Sequence, residues 1–301
     1  MTTIFIAGAT GFIGSAIAEA AETLGHSVTL LCRKTTAERS HPSRRLDLLG
    51  GVINPALLDG ASVLIHSASY VGPDVDLQRR INIEGTRNLM RAARQAQLDK
   101  IVYMSTAGVY GTCFPVGLPP RPNAEPRSSL SASRYEAETL VLEAGGSVVR
   151  PNFVFGAGDR WFLGRLLHLA RLLDGSIEHG SALFSVIDRS SLGVLAARLA
   201  LSDRPQDVFH AAYPKPVRVA SLLTVVSNAS GIDVSTRSFT RDEAQIRLAE
   251  CGIREEEVAM LCRDRWFKAG ELWEVAGKEP PATLALSQSD AAWYLSHQTN
   301  T

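Results

Sequence analysis

Gly8-Ala9-Thr10-Gly11-Phe12-Ile13-Gly14 is the stretch that decides the fold of this 301-residue chain. It follows Thr3-Ile4-Phe5-Ile6-Ala7, a short apolar run that reads as a buried strand. It opens the segment Phe12 to Leu24, where Ile13, Ala16, Ile17, Ala20, Ala21 and Leu24 share one helical face and Gly25 stands as a C-cap. A glycine-rich turn between strand and helix lets the backbone approach a pyrophosphate. The helix N-terminus adds N–H groups and the positive end of its dipole. The context therefore predicts dinucleotide binding by Gly8, Thr10, Gly11, Phe12, Ile13 and Gly14.

Outward from this turn, strand-like and helical patterns alternate. Val28 to Leu31, Val63 to Ile65 and Ile101 to Met104 read as strands. A long helix is predicted over about 76–97, burying Ile81, Leu89, Ala92 and Ala93. Such alternation predicts an α/β fold with a Rossmann-type, doubly wound parallel sheet. Five prolines between Cys113 and Arg127 predict a long loop. Ser128 to Ala144 is helical again and Ser147 to Val149 a strand; beyond Pro214 the pattern is mostly helical, with Thr240 and Glu243 forming a capping box. The predicted organisation is a dinucleotide-binding core over 1–155 and 186–212, with a smaller substrate lobe over 156–185 and 213–301.

Composition removes several function classes. Thirty-one basic residues offset 31 acidic ones, which argues against a nucleic-acid binder resting on excess Lys and Arg. No apolar run reaches the roughly 18 residues a membrane span needs. The four cysteines are scattered, with no zinc spacing, so no metal is expected and a reducing cytoplasm is. At the end of the second strand, about 20 residues past the glycine turn, an NAD-selecting acid would bond the ribose 2′-hydroxyl. Cys32 stands there, followed by Arg33 and Lys34. Two cations attract a 2′-phosphate, so NADP(H) is expected over NAD(H); the alternative is a solvated strand end.

Together these residues resemble the extended short-chain dehydrogenase/reductase family, the NAD-dependent epimerase/dehydratase group. The glycine turn matches its GxxGxxG form. Asp47 and Leu48 resemble the site that bonds adenine, and Ser67-Ala68-Ser69, following His66, the cofactor-lining loop. Asn82-Ile83-Glu84-Gly85-Thr86 resembles the NxxGT motif. Met104 to Gly111 resembles the strand whose catalytic Ser or Thr falls on Thr106. Arg150-Pro151-Asn152-Phe153 resembles the turn beside the nicotinamide, which adds Pro151, Asn152 and Phe153 to the cofactor contacts. The resemblance also implies a homodimer, joined through the helices at about 76–97 and 128–144, whose apolar positions exceed what one sheet face should cover.

The family's YxxxK pair is where this chain departs. Counting back from Ala137-Glu138 and Leu140-Val141 puts Leu130 at the Tyr position and Arg134 at the Lys position. Tyr135 lies five residues on, about 140° around a helix, and as the tyrosine would put Thr139 at the lysine position. Leu130 has nothing to ionise, and Arg134 stays protonated but can still donate to ribose or phosphate. A missing acid costs roughly 10²–10⁴-fold in rate. The remaining catalytic candidates are Thr106, Arg134 and Tyr70. Tyr70, Thr106, Leu130, Phe153 and Trp161 are expected to line the substrate pocket. Ser181 stands where nucleotide-sugar members tend to carry an arginine, although Arg160 or Arg165 could substitute.

Three functions fit. One is an NADP(H)-dependent reductase of a small imine-type or activated carbonyl metabolite with a remodelled proton route. The others are a non-redox enzyme and a dinucleotide-binding sensor that has lost dehydrogenase chemistry.

Overall fold

Seven parallel strands form the central sheet of the computed structural model, which describes the chain except residues 35–40, 99, 112, 113, 115, 121–123 and 298–301. They are β1 (Thr3–Ala7), β2 (Ser27–Cys32), β3 (Ser43–Arg45), β4 (Val63–His66), β5 (Ile101–Met104), β6 (Ser147–Pro151) and β11 (Val208–Ala211). Their order is β11-β6-β5-β4-β1-β2-β3. The predicted parallel α/β sheet is thus present. Ile4, Phe5, Ile6 and Ala7 are all buried, as in a strand covered on both faces. Three two-stranded pairs lie outside it: β7 (Phe153–Phe155) with β10 (Val186–Asp188), β8 (Ser176–Ile177) with β13 (Ser238–Phe239), and β9 (Leu183–Phe184) with β12 (Val217–Arg218).

Helix α1 (Phe12–Thr23) packs on one face beside α6 (Arg189–Leu201). A Cβ on Gly193 would lie 2.4 Å from the Ala16 carbonyl oxygen, so glycine permits this approach. On the other face the predicted 76–97 helix needs correction. It is α2 (Val75–Leu77), a π-helical stretch over Gln78–Gly85, and α3 (Thr86–Gln95). The wider turn brings Asn82 inward to bond the Tyr70 backbone and Ser133, and sets Gly85 where a Cβ would meet that of Leu48 at 2.7 Å. Beside it lies the helix expected from Ser128 on, α4 (Ser129–Glu143), and the Ser128 hydroxyl caps it by accepting from Ser131 N.

A second apolar cluster gathers α5 (Leu163–Leu173), α7 (Val219–Ser230), α8 (Arg241–Glu250), α9 (Glu255–Cys262) and α11 (Gln288–Ser296). The Thr240–Glu243 capping box is present at α8, and Ser287 with Asp290 forms another at α11. The remaining helix, α10 (Gly270–Ala276), instead sends Leu272, Trp273 and Ala276 into the cluster beneath the sheet, and the Trp273 indole donates to Ala212 O. That segment of 213–301 therefore packs with the core.

Candidate cofactor and active site

The glycine turn is shaped by close approach. Gly8 has φ +81°, and a Cβ there would lie 2.5 Å from Ala68 N; one on Gly14 would lie 2.2 Å from Gly8 O. Gly11 is different. It is the N-cap of α1 with extended backbone, and its Cβ position meets only Gly8 O, at 3.3 Å. No side chain caps this helix and no acid stands in its first turn, so its N–H groups suit an anion. Gly8, Thr10 and Gly11 open into a cleft of about 240 Å³ at the carboxyl ends of β1, β2 and β4. Phe12, Ile13 and Gly14 lie behind it in the first helical turn.

The same cleft is lined by Arg33, Asp47, Leu48, Ser67, Ala68, Ser69 and Tyr70. Buried Cys32 donates its thiol to Lys34 O at 3.1 Å, fixing the strand end. Arg33 and Lys34 are exposed there, Arg33 in the lining and Lys34 outside it. Asp47 accepts from Leu49 N through one carboxylate oxygen at 3.0 Å, which leaves the other for a ligand amine. These residues fit a dinucleotide: a glycine cradle for phosphates, a carboxylate for adenine and a cation for a 2′-phosphate.

Arg150 and Glu138 settle the orientation of α4. The guanidinium of buried Arg150 forks onto buried Glu138, with Nε–Oε1 at 3.0 Å and Nη2–Oε2 at 2.6 Å. One turn back, Arg134 Nη2 donates to Met104 O at 2.5 Å and stands over the Tyr103 ring. Leu130 is half-buried, and Tyr135 is 37% exposed. Thr106 Oγ1 accepts from Gly108 N at 3.0 Å and so keeps its proton to donate. Its hydroxyl and that of Ser131 would each lie 3.3 Å from a Cβ on Gly108. Ser131, missed in the sequence, therefore faces Thr106 across this glycine; its place in α4 one residue after Leu130 was the available signal.

Beneath these groups lies a cluster of buried polar side chains. His66 Nε2 meets Thr86 Oγ1 at 2.9 Å, and burial with the Arg134 charge lowers the His66 pKa to about 3, so the ring is neutral. His66 Nδ1, Tyr103 OH, Ser105 Oγ and Arg134 Nε are buried with no hydrogen-bond partner among the described residues. Burial raises the Tyr103 phenol pKa. Tyr70 is held by Asn82 through both backbone polar groups, and a Cβ on Gly72 would fall 2.4 Å from its hydroxyl. Its phenol thus folds back on its own loop.

At the turn after β6, Pro151 is buried and the Asn152 amide donates to Ser185 O and Arg265 O, both at 3.2 Å. Its nitrogen is committed to the second lobe, leaving only its carbonyl oxygen for a cofactor. Phe153 stacks on Phe162 at 4.3 Å and meets Phe184 at 4.8 Å, an aromatic wall. Trp161 is not part of it, being 73% exposed. Asp159 takes the N–H groups of Trp161, Phe162 and Leu163, and this turns Phe162 inward and Trp161 outward. Arg165 is bonded to Glu257 at 2.6 Å and Ser181 is exposed.

A sequence profile described as the NAD dependent epimerase/dehydratase family matches residues 4–171. The chain is 28% identical over 271 residues to a 4-hydroxy-2-methyl-3-oxo-4-farnesyl-3,4-dihydroquinoline-1-oxide ketoreductase of Stigmatella aurantiaca, covering 82% of this chain and 79% of that protein. It is 28% identical over 190 residues to a 2-alkyl-3-oxoalkanoate reductase of Stenotrophomonas maltophilia, 56% of each. Among solved structures, MoeE5 in complex with UDP-glucose and NAD superposes with a TM-score of 0.70 at 21% identity, over 98% of this chain and 97% of that one.

Proposed function

We propose, from the premise that the chain belongs to the NAD dependent epimerase/dehydratase family, that it is an NADP(H)-dependent reductase of an apolar carbonyl or iminium compound. The observation that carries this reading is a cleft that fits a dinucleotide, with Thr106 following β5, the strand next to β4, and aliphatic Leu130 where a phenol is expected. The two reductase relatives act on compounds named for farnesyl or alkyl groups beside an oxo group, and the Phe153 wall suits such bodies. Arg33 at the end of β2 favours the 2′-phosphate form of the cofactor.

When bound, the nicotinamide supplies or takes the hydride. Leu130 has no proton to give, so its part is to exclude water from the reacting carbon. An iminium carbon is already electron-poor and takes hydride without simultaneous protonation. A ketone oxygen would instead receive the Thr106 proton, replaced from water or from Ser131 across Gly108. Arg134, fixed to Met104 O, holds ribose or substrate anion with its other donors. The substrate lies between the sheet's carboxyl edge and the lobe over 156–185 and 213–301. A homodimer through α3 and α4 completes the reading.

The test is turnover of NADPH with a panel of hydrophobic ketones and cyclic imines by Leu130→Ala. Removing a half-buried leucine should weaken substrate binding about tenfold, from about 1.5 kcal/mol of lost apolar burial, with hydride transfer retained. Loss of hydride transfer in a folded, NADPH-binding Leu130→Ala protein, or dependence on Tyr135 instead, overturns the reading.

A further inference from the structure

Most half-buried or buried arginines elsewhere in this molecule have partners among the described residues. Arg150 has Glu138, Arg165 has Glu257, Arg189 has Glu19, and Arg198 donates to Ala276 O. Arg241 and Arg265 do not, and Arg265 is set against an aromatic ring. Its side chain makes no hydrogen bond or ion pair among the described residues, and its Nε is buried without a partner. The adjacent acid, Asp264, accepts from Leu183 N through one oxygen at 2.9 Å and forms no ion pair with Arg265.

The backbone of Arg265 is rigidly placed. Its N–H donates to Leu183 O at 2.8 Å, and its carbonyl accepts from Ser185 N at 2.8 Å and from Asn152 Nδ2 at 3.2 Å. It is therefore bonded to the turn after β6 and to the strand carrying Phe184. The guanidinium carbon stands 5.8 Å from the centre of Phe114, which stacks on Phe267 at 5.6 Å and meets Tyr110 edge-on. Phe114 and Tyr110 belong to the loop that starts at Thr106. The charge thus stands against the Phe114 ring, between the loop of the candidate hydroxyl and the second lobe.

We propose that Arg265 anchors an anionic oxygen of the substrate, a carboxylate or enolate carried by an otherwise apolar molecule. This rests on the reductase reading only in taking the space between the sheet's carboxyl edge and the second lobe as the substrate's. The Arg265 Nε is held from water without a partner, and burial together with Arg263 pulls the Arg265 pKa down, yet a guanidinium stays charged. A bound carboxylate supplies the missing partner, and the planar fork accepts it through two parallel bonds. The half-buried Phe114 ring offers an apolar surface to the rest of the molecule.

The probe pair is 2-naphthoate and its neutral isostere 2-naphthamide, titrated into the NADP⁺-loaded full chain and followed by calorimetry. The acid should bind at least tenfold more tightly than the amide. Arg265→Met should abolish that preference and Arg265→Lys should keep part of it, with amide affinity, NADP⁺ affinity and thermal midpoint unchanged. Equal binding of acid and amide to the unaltered protein, no binding of the acid, or a preference surviving in Arg265→Met overturns the proposal. None of these outcomes depends on turnover, so absence of hydride transfer would sink the reductase reading and leave this one standing.

Discussion

Two kinds of ionisable side chain set the behaviour of the cofactor end and the interior. Arg33 lines the cleft at the end of β2 and Lys34 follows it, where an acid would repel a 2′-phosphate. One charge-assisted contact is worth about 1.5–3 kcal/mol, so Arg33→Ala should lower NADP⁺ affinity by roughly 10- to 100-fold while leaving NAD⁺ affinity within about threefold. Parallel titrations of both cofactors check this, and equal wild-type affinity for the two would refute it. The interior case is histidine. His66 and His210 are both held to about 3 by burial, against an ordinary 6.5, so the folded state binds fewer protons than the unfolded state over that interval. Their contribution is complete above pH 6.5 and is lost as pH falls towards 3, by up to about 1.4 kcal/mol per pH unit for each ring. Denaturant titrations between pH 7 and 5 should show this loss, and His210→Gln should make the slope shallower.

At the scale of elements, legibility followed the physics of each signal. The first strand, turn and helix could be read because a buried run, three glycines and a 3.6-residue period coincide within about 20 residues. The Thr240–Glu243 box could be read because capping is local chemistry. The π-helical stretch could not, since apolar periodicity does not distinguish i+4 from i+5 bonding; its cause is tertiary, the reach of Asn82 to the Tyr70 loop and to Ser133. Trp161 was misplaced for a similar reason: composition marks an aromatic run, but only the Asp159 carboxylate decides which ring turns inward. Unpaired Arg265 gave no signal at all, because a missing partner is a property of the packed state. The Glu138–Arg150 pair joins α4 to β6, and the Tyr110 hydroxyl accepts from Arg150 at 2.8 Å. Glu138→Gln leaves a buried guanidinium without its counter-charge, so about 3–5 kcal/mol of unfolding free energy should be lost. Because α4 also carries Arg134, hydride transfer should fall along with stability. A stability within about 1 kcal/mol of wild type would show that the pair is dispensable.

For the whole molecule, the open matter is how copies meet. An apolar excess on the 76–97 and 128–144 helices was the sequence ground for a homodimer, but Leu89, Met90, Ala92, Ala93, Ala137 and Val141 are already buried within one chain. What the two helices turn outward is largely charged. Arg87, Arg91 and Arg94 line the α3 side, and Glu136 and Glu143 the α4 side, with Arg87 bonded to Glu136 across the helices. A two-fold axis running along this pair would set the arginines of α3 in one copy near the glutamates of α4 in the other, since a two-fold interface is self-complementary. Association through such a face draws on charge more than on apolar area, so it must weaken as salt shortens the screening length from about 10 Å at 0.1 M to about 3 Å at 1 M. Sedimentation at micromolar concentration should therefore show a dimer of the 32.5 kDa chain at low salt and a shift towards monomer at high salt. Arg91→Glu combined with Arg94→Glu should give monomer in both. A dimer indifferent to salt and to these substitutions would place the interface elsewhere, and a monomer at every salt concentration would end the dimer reading.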